Sequence, residues 1–473
     1  MLLIFKMGSC GPGYRIFHFS IIKNLFIVMI SVGKYISVLI MFLITGMNPI
    51  IYAQIKVGTG KTDITPPLGV PLEGYYVDRF ATHIHDPLYA RAMVIEDGNT
   101  SLVLVIVDII DVAPKAFPAA RSRIQNEFNI PASNIVISAT HTHTGPVITE
   151  AYEKMLEAKI HDAVQLAFNT RQSAVIRSGI GHADGISFHR RFLMKDGTVK
   201  FNPGVMNPEI VRPMGPIDPD VGILYIESMD GNPIAMLVNF ALHLDTIGGT
   251  EISADFPYFM GKLLNKLFGE DLMVFFGFGT CGNVNHIDVN NPERLKGYER
   301  AERVGHALAA SVIREFPALE KNEITELKSG NQLLLLKTPE YTEEEYDMAR
   351  INATKESDLE ASTPEIREAM KILRVENRKG QPIEAEILTF GMDNVAIVAL
   401  PGEIFVELGL EIKKRSPYKH TFILTLSNNS IGYIPNEEAF NRGAYEVEVS
   451  EIAKGEGEKM VNTSVELLKK MKK

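Results

Sequence analysis

The 473-residue sequence has no tryptophan and only two cysteines, Cys10 and Cys281. So little cysteine in so long a chain excludes a scaffold built on disulfides. Acidic residues are missing from one region: between Met1 and Gln54 there is no Asp or Glu, while Lys6, Arg15, Lys23 and Lys34 are basic. Internal repeats, low-complexity tracts and a convincing interdomain linker are also lacking, which argues for one large domain rather than an array. The chain as a whole carries a formal charge of -10. That balance, with no basic stripe, disfavours a nucleic-acid partner.

The acid-free N-terminus has the order of a secretory signal peptide. Lys34 precedes an apolar core, Tyr35 to Thr45, and small or polar residues follow at Ala53-Gln54. Residues 1–53 are therefore expected to be a cleaved leader, with Met29 as an alternative start, and the product to be secreted or periplasmic. A membrane anchor fits less well, because the apolar core is shorter than the roughly 20 residues a span requires. No cysteine stands at the exit to take a lipid. Removing the leader takes Cys10 with it, so the remaining chain has no partner for Cys281. Cys281 follows Phe-Phe-Gly-Phe-Gly-Thr, a context for a buried thiol; no histidine at a dyad spacing supports a nucleophile.

From residue 55 onward, apolar runs rich in Val and Ile alternate with helical patterns. Ser101–Ile110 reads as a strand buried on both faces, Lys115–Phe128 as a helix, Asn134–Ser138 as a strand and Thr149–Asn169 as a helix. Further strands are expected at 221–227, 234–243, 273–279 and 421–427, a hairpin at 383–400, and helices at 294–316 and 455–473. A charged helical hairpin is expected at 342–378, broken near Pro364, as a solvated face or a lid. The order implies an α/β fold with a mixed, largely parallel sheet and helices on its faces, in a single large domain spanning 55–473.

Several of these strands end in polar clusters. Asn134–Ser138 leads to His141 and His143. The run 234–242 leads to His243, with Asp245 close behind. Residues 275–279 lead to Cys281-Gly282-Asn283-Val284-Asn285-His286, 395–402 to Glu403, and 421–427 to Asn428, Asn429 and then Tyr433. Open α/β sheets gather ligands at the carboxyl ends of their strands. Imidazoles so placed suit a divalent metal and hence hydrolysis. Singly, each residue has a plainer reading: a hydrogen-bonded histidine, or, for Glu403, a carboxylate at a helix N-terminus.

Taken together, Val57–Gly69 (VGTGKTDITPPLG), LYARAMVIED, ATHTHTGP (Ala139–Pro146), NFALH, GTCGNVNHID, LPGEIF and SNNSIGYIP resemble the catalytic domain of the neutral (alkaline, non-lysosomal) ceramidases, over about Ile55 to Tyr445. The resemblance implies one Zn²⁺ per chain, with His141, His243, Glu403 and Tyr433 as metal ligands. It places His143 beside the metal, Arg190 where the family has an arginine and Tyr445 near the scissile group. Asn285 stands where the family carries a serine implicated in activity, which excludes a seryl intermediate at that position. The family's C-terminal immunoglobulin-like domain is not expected here.

The resulting expectation is a secreted zinc-dependent amidohydrolase that cleaves an N-acyl amide, ceramide or a related sphingolipid-like compound, by metal-activated water. Arg190 and Tyr445 would stabilise the oxyanion, His143 would pass a proton to the leaving amine, and Asn285 would hold substrate or position water. A transient contact with a membrane surface would accompany a lipid substrate. The alternatives are hydrolysis of another amide or an ester on the same scaffold, and a non-catalytic extracytoplasmic binding protein.

Overall fold

The computed structural model describes residues 55–473, apart from 76, 294–295 and 355–362. The expected leader, residues 1–53 with its alternative start at Met29, lies outside the described residues. Among those described, no helix is long and apolar enough to cross a membrane.

The run Ser-Leu-Val-Leu-Val-Ile-Val at Ser101–Val107 shows how the layers arise. In a strand, alternate side chains face opposite ways. Here Val103, Val105 and Val107 enter one apolar cluster while Leu102, Leu104 and Ile106 enter another. Each of these side chains is worth about 1.5–3 kcal/mol when fully buried, so the strand is stabilised from both faces.

The main sheet contains β1 (Lys56–Asp63), β2 (Tyr89–Glu96), β3 (Ser101–Val107), β4 (Ile135–Ala139), β5 (Gln172–His182), β6 (Asp220–Ser228), β7 (Pro233–Phe240) and β8 (Met273–Phe278). Their spatial order is β8-β7-β6-β5-β1-β2-β3-β4, and Glu320–Lys321 adds to β5. A second sheet contains β9 (Leu327–Leu336), β10 (Ile383–Met392), β11 (Val395–Ala399) and β12 (His420–Leu424), in that order. Helices α1 (Ala116–Phe128), α2 (Glu150–Asn169), α3 (Phe256–Phe268) and α4 (Tyr298–Glu315) cover the outer face of the main sheet. Between the sheets, Leu104, Leu224, Leu237 and Phe275 meet Phe390, Ile397, Phe422 and Leu424. After the hairpin of α5 (Glu343–Ala353) and α6 (Pro364–Asn377) come α7 (Val406–Arg415) and α8 (Glu456–Lys472), which pack on the far side of the second sheet. The result is four layers, helix–sheet–sheet–helix, in one compact unit.

The mixed α/β architecture is as expected; two details of it are not. The sheet is not largely parallel. Only β7–β8 and β3–β4 pair in parallel, and every other pair along its path is antiparallel. Tight connections account for two of these pairs: Asp97 turns β2 into β3 by accepting from the Asn99 and Thr100 amides, and Ser228 closes the β6–β7 turn on Asn232. Such short links join only antiparallel neighbours. Helices also cover only one face of each sheet, because the other faces pack on each other.

The glycine-rich start of β1 has a packing explanation. A Cβ on Gly58 would lie 2.0 Å from the Ala167 carbonyl oxygen, and one on Gly60 would lie 2.1 Å from that of Ala163. These glycines let α2 sit directly on the strand. Gly60→Ala should therefore destabilise the protein by about 1–3 kcal/mol through overpacking. Urea denaturation is the check, and an unchanged midpoint would remove this explanation.

Candidate active site and metal centre

Five strands from both sheets deliver the polar residues at their carboxyl ends. β4 leads to His141 and His143, β7 to His243, and β8 to Cys281. β11 and β12 lead to Glu403 and Tyr433, which pair in a short parallel bridge. His141 adopts a left-handed backbone, φ 72°. For a non-glycine residue that costs on the order of 1–3 kcal/mol, and such strain collects at functional sites.

The three imidazoles are oriented by the backbone. His141 Nδ1 donates to the Ile110 carbonyl (2.6 Å) and His143 Nδ1 to the Gly74 carbonyl (2.8 Å), while His243 Nδ1 faces the Cys281 carbonyl at 3.4 Å. An imidazole that donates from Nδ1 presents a lone pair at Nε2. All three Nε2 atoms point at one place: His141 to His243 is 3.0 Å and His141 to His143 is 3.3 Å. Glu403 Oε2 lies 3.5 Å from Nε2 of both His141 and His243, and is buried with no hydrogen-bond partner.

Left alone, this cluster is electrostatically unfavourable. Lone pairs at such distances repel, and protonation does not relieve them. Burial holds His141 and His243 below the ordinary imidazole range, His143 falls to about 3, and Glu403 is pushed up to about 7 by burial. A divalent cation resolves all four at once. His141, His143 and His243 form a group whose ligand atoms lie within 4.8 Å of one another. The Tyr433 phenol hydrogen-bonds Glu403 and receives a bond from Arg190; burial, with Glu403 beside it, pushes its ionisation well above the usual range.

Arg190 is clamped beside the cluster. Its Nε donates to Glu446 Oε1 (2.9 Å), its Nη2 to the Gly282 carbonyl (2.7 Å), and its Nη1 lies 3.4 Å from His243 Nε2. Burial opposes its charge, but Tyr433, Glu446 and Glu403 together hold its ionisation above the ordinary arginine range. Glu446 is fully buried and also binds Arg191 at 2.7 Å. The Tyr445 ring stands 5.8 Å from that of Tyr433 and 4.9 Å from that of Phe201. A cavity of about 630 Å³ opens over this group and is bordered by His143, Arg190, His243, Tyr433 and Tyr445.

Asn285 stands apart. It is buried, donates to Asn202 Oδ1 (3.0 Å) and accepts from the Ile287 amide (3.0 Å); Asn202, not Asn285, borders the cavity. Cys281 is a buried thiol whose ionisation burial and Glu403 push well above the usual range, unlike that of a nucleophile. Sequence reasoning named neither Glu446 nor Lys296 as a site residue. Glu446 adjoins Tyr445, so adjacency was the available signal. Asp245 was noted only as close behind His243; its Oδ1 is 2.8 Å from His286 Nδ1. Burial opposes its ionisation, but His286, His243 and His143 hold it well below the ordinary carboxylate range. The charged hairpin is more than a solvated face, because Pro364 and Arg367 of α6 border the cavity.

Comparison with known proteins bears on the fold and on the N-terminal part of the described chain. Residues 55–204 match the family model described as neutral/alkaline non-lysosomal ceramidase, N-terminal. A neutral ceramidase of Drosophila pseudoobscura pseudoobscura is 25% identical over 281 residues, covering 54% of this chain and 39% of that protein. The chain thus spans about two fifths of that relative's length. The crystal structure of neutral ceramidase from Pseudomonas aeruginosa superposes with a TM-score of 0.68 at 17% identity, covering 88% of this chain and 74% of that one. A ceramidase complexed with C2 gives 0.70 at 17% identity, covering 88% and 75%. These two structures establish a shared fold.

Metal binding should depend on pH in one direction. Glu403 must lose its proton to bind a cation, while the imidazoles are already neutral. Affinity should fall about tenfold per pH unit below about 7 and level off above it. Chelator competition between pH 5.5 and 8.5 measures this, and affinity that stayed flat across the range would exclude Glu403 as a ligand. His141→Ala should weaken binding at every pH.

Proposed function

We propose that the protein is a secreted zinc-dependent amidohydrolase acting on N-acyl amides of the ceramide type. One observation carries the reading: three imidazole lone pairs and a partnerless buried carboxylate oxygen converge on one point. That donor set fits zinc; the resemblance assigns His141, His243, Glu403 and Tyr433 as the ligands with His143 alongside, whereas the converging donor atoms are those of His141, His143, His243 and Glu403, with Tyr433 hydrogen-bonded to Glu403. A zinc ion held there supplies Lewis-acid polarisation of a carbonyl and a water pKa lowered from ~15.7 towards ~7.

The chain's own residues account for the remaining chemistry. The Arg190 guanidinium is permanently charged and fixed in direction by Glu446. It is a preorganised donor for the oxygen that becomes negative when an amide carbonyl is attacked. Tyr445, which also borders the cavity, would be a second donor to the same oxygen. With its Nδ1 proton committed to Gly74 and its Nε2 turned to the same point as those of His141 and His243, His143 would have to stay off the metal to relay a proton from water to the leaving nitrogen, and burial, which lowers it to about 3, makes it a weak base for that step. Asn285 would act at one remove, through Asn202 on the cavity wall.

The names of the relatives, all ceramidases, support an N-acylated amino-alcohol as the starting substrate. Secretion follows from the expected leader.

A panel of short-chain ceramides, simple N-acyl amides and esters, assayed with and without a chelator, tests the reading. Amide hydrolysis should be lost on chelation and restored by zinc. Arg190→Ala should lower turnover by roughly 10²–10³. No amidase activity in zinc-loaded protein, or activity indifferent to chelation, would refute the proposal.

A further inference from the structure

The cavity over the histidines is lined by aromatic and apolar side chains, among them Tyr75, Val199, Phe201 and Tyr445, and also by charged ones that differ in how they are partnered. Arg190 is held by Glu446, and Arg367 by Glu448 at 2.6 Å. Asp245 is held by His286. Two ammonium groups on the wall, Lys296 and Lys200, are solvent-exposed and among the described residues make no close salt bridge, although, against the cost of desolvation, the Asp245 carboxylate on the same wall helps hold the Lys296 ionisation above its usual range. Lys296 makes one hydrogen bond, to the Tyr75 hydroxyl at 3.1 Å, and stands 4.7 Å over that ring. An ammonium has three donors, so others remain for a ligand.

The position of Lys296 gives its charge a direction. The Tyr75 ring packs edge-on against His143, with ring centroids 5.5 Å apart. Lys296 is therefore one aromatic ring away from the imidazole that would protonate the leaving nitrogen. An alkyl chain laid along this wall would desolvate the cation without compensation. An anionic group there would form charge-assisted hydrogen bonds.

We propose that Lys296, assisted by Lys200, binds an anionic group on the amine side of the scissile bond. The substrate class is then an N-acyl amino acid or similar N-acyl amine bearing a carboxylate, rather than ceramide, whose head group is uncharged. This rests on the amidohydrolase reading above and replaces its ceramide-type starting substrate with an anionic N-acyl amine. The reaction is the same hydrolysis: the C–N bond breaks, water's oxygen ends on the acyl carbon and its hydrogen on nitrogen, with no change of oxidation state.

The test uses zinc-loaded full-length protein and four substrates with matched acyl chains: N-acylglycine, N-acylglycinamide, N-acyltaurine and a short-chain ceramide. In the wild type, kcat/KM for the glycine conjugate should exceed that for the uncharged glycinamide by about tenfold or more, with the advantage shrinking as salt rises. Lys296→Met should bring that ratio close to one, and Lys200→Met should reduce it. A merely misfolded variant would lower both rates and leave the ratio unchanged. N-acyltaurine separates a carboxylate site from a general anion site; if it outruns N-acylglycine, the carboxylate assignment is wrong. Equal or better hydrolysis of glycinamide or ceramide by the wild type overturns this proposal and leaves the amidohydrolase standing. So does a glycine preference that both lysine variants retain. Failure to hydrolyse any of the four, or any member of the earlier panel, removes both.

Discussion

Three imidazoles aimed at each other through their lone pairs form the constraint around which the rest of this molecule is arranged. Backbone carbonyls at Ile110 and Gly74 fix two of the rings by their Nδ1 protons, which leaves the Nε2 atoms no choice of direction. Burial keeps them uncharged, so no proton comes between them. A carboxylate oxygen without a partner completes the cluster. Folding such a group costs free energy that a bound cation would return, so the three histidines could hold a metal ion.

The layered fold holds that group rigid. His141, His143 and His243 stand at the ends of strands in one sheet, Glu403 and Tyr433 at the ends of strands in the other. The apolar seam between the sheets, where Leu104, Leu237 and Phe275 meet Ile397 and Phe422, therefore sets the spacing of the donors. A second polar layer surrounds them. Glu446 ties Arg190 and Arg191 to a helical turn that follows Tyr433, and Arg367 and Arg374 of α6, with Arg378 just past its end, bind Glu448 in that turn and Glu451 beyond it. The charged hairpin is thereby linked to the segment carrying Tyr445.

Much of this was legible in the sequence for physical reasons. Strands with continuous Val and Ile, such as Ser101–Val107 and Val395–Ala399, announce burial on both faces. Thr149 caps α2 and Thr363, followed by Pro364, caps α6, so both helix starts were readable. The strands that escaped notice lack that signature. Gln172–His182 mixes Arg, Ser and Gly with its apolar residues, and Leu327–Leu336 begins Leu-Lys-Ser-Gly-Asn-Gln. Each is held by its neighbours' hydrogen bonds more than by its own composition. Parallel and antiparallel pairing was misread because a run of strands and helices looks alike until the turns between strands are counted.

By itself, the order of residues determined which chemistry was available: imidazoles, a carboxylate and a phenol, each placed just past an apolar run that had to become a strand. Only the tertiary structure decided where those groups point, because orientation comes from partners far away in the chain. Gly74 turns His143, Glu446 turns Arg190, and Asn202 engages Asn285. Those partners are chosen by packing two sheets face to face, an event that no local stretch of sequence encodes.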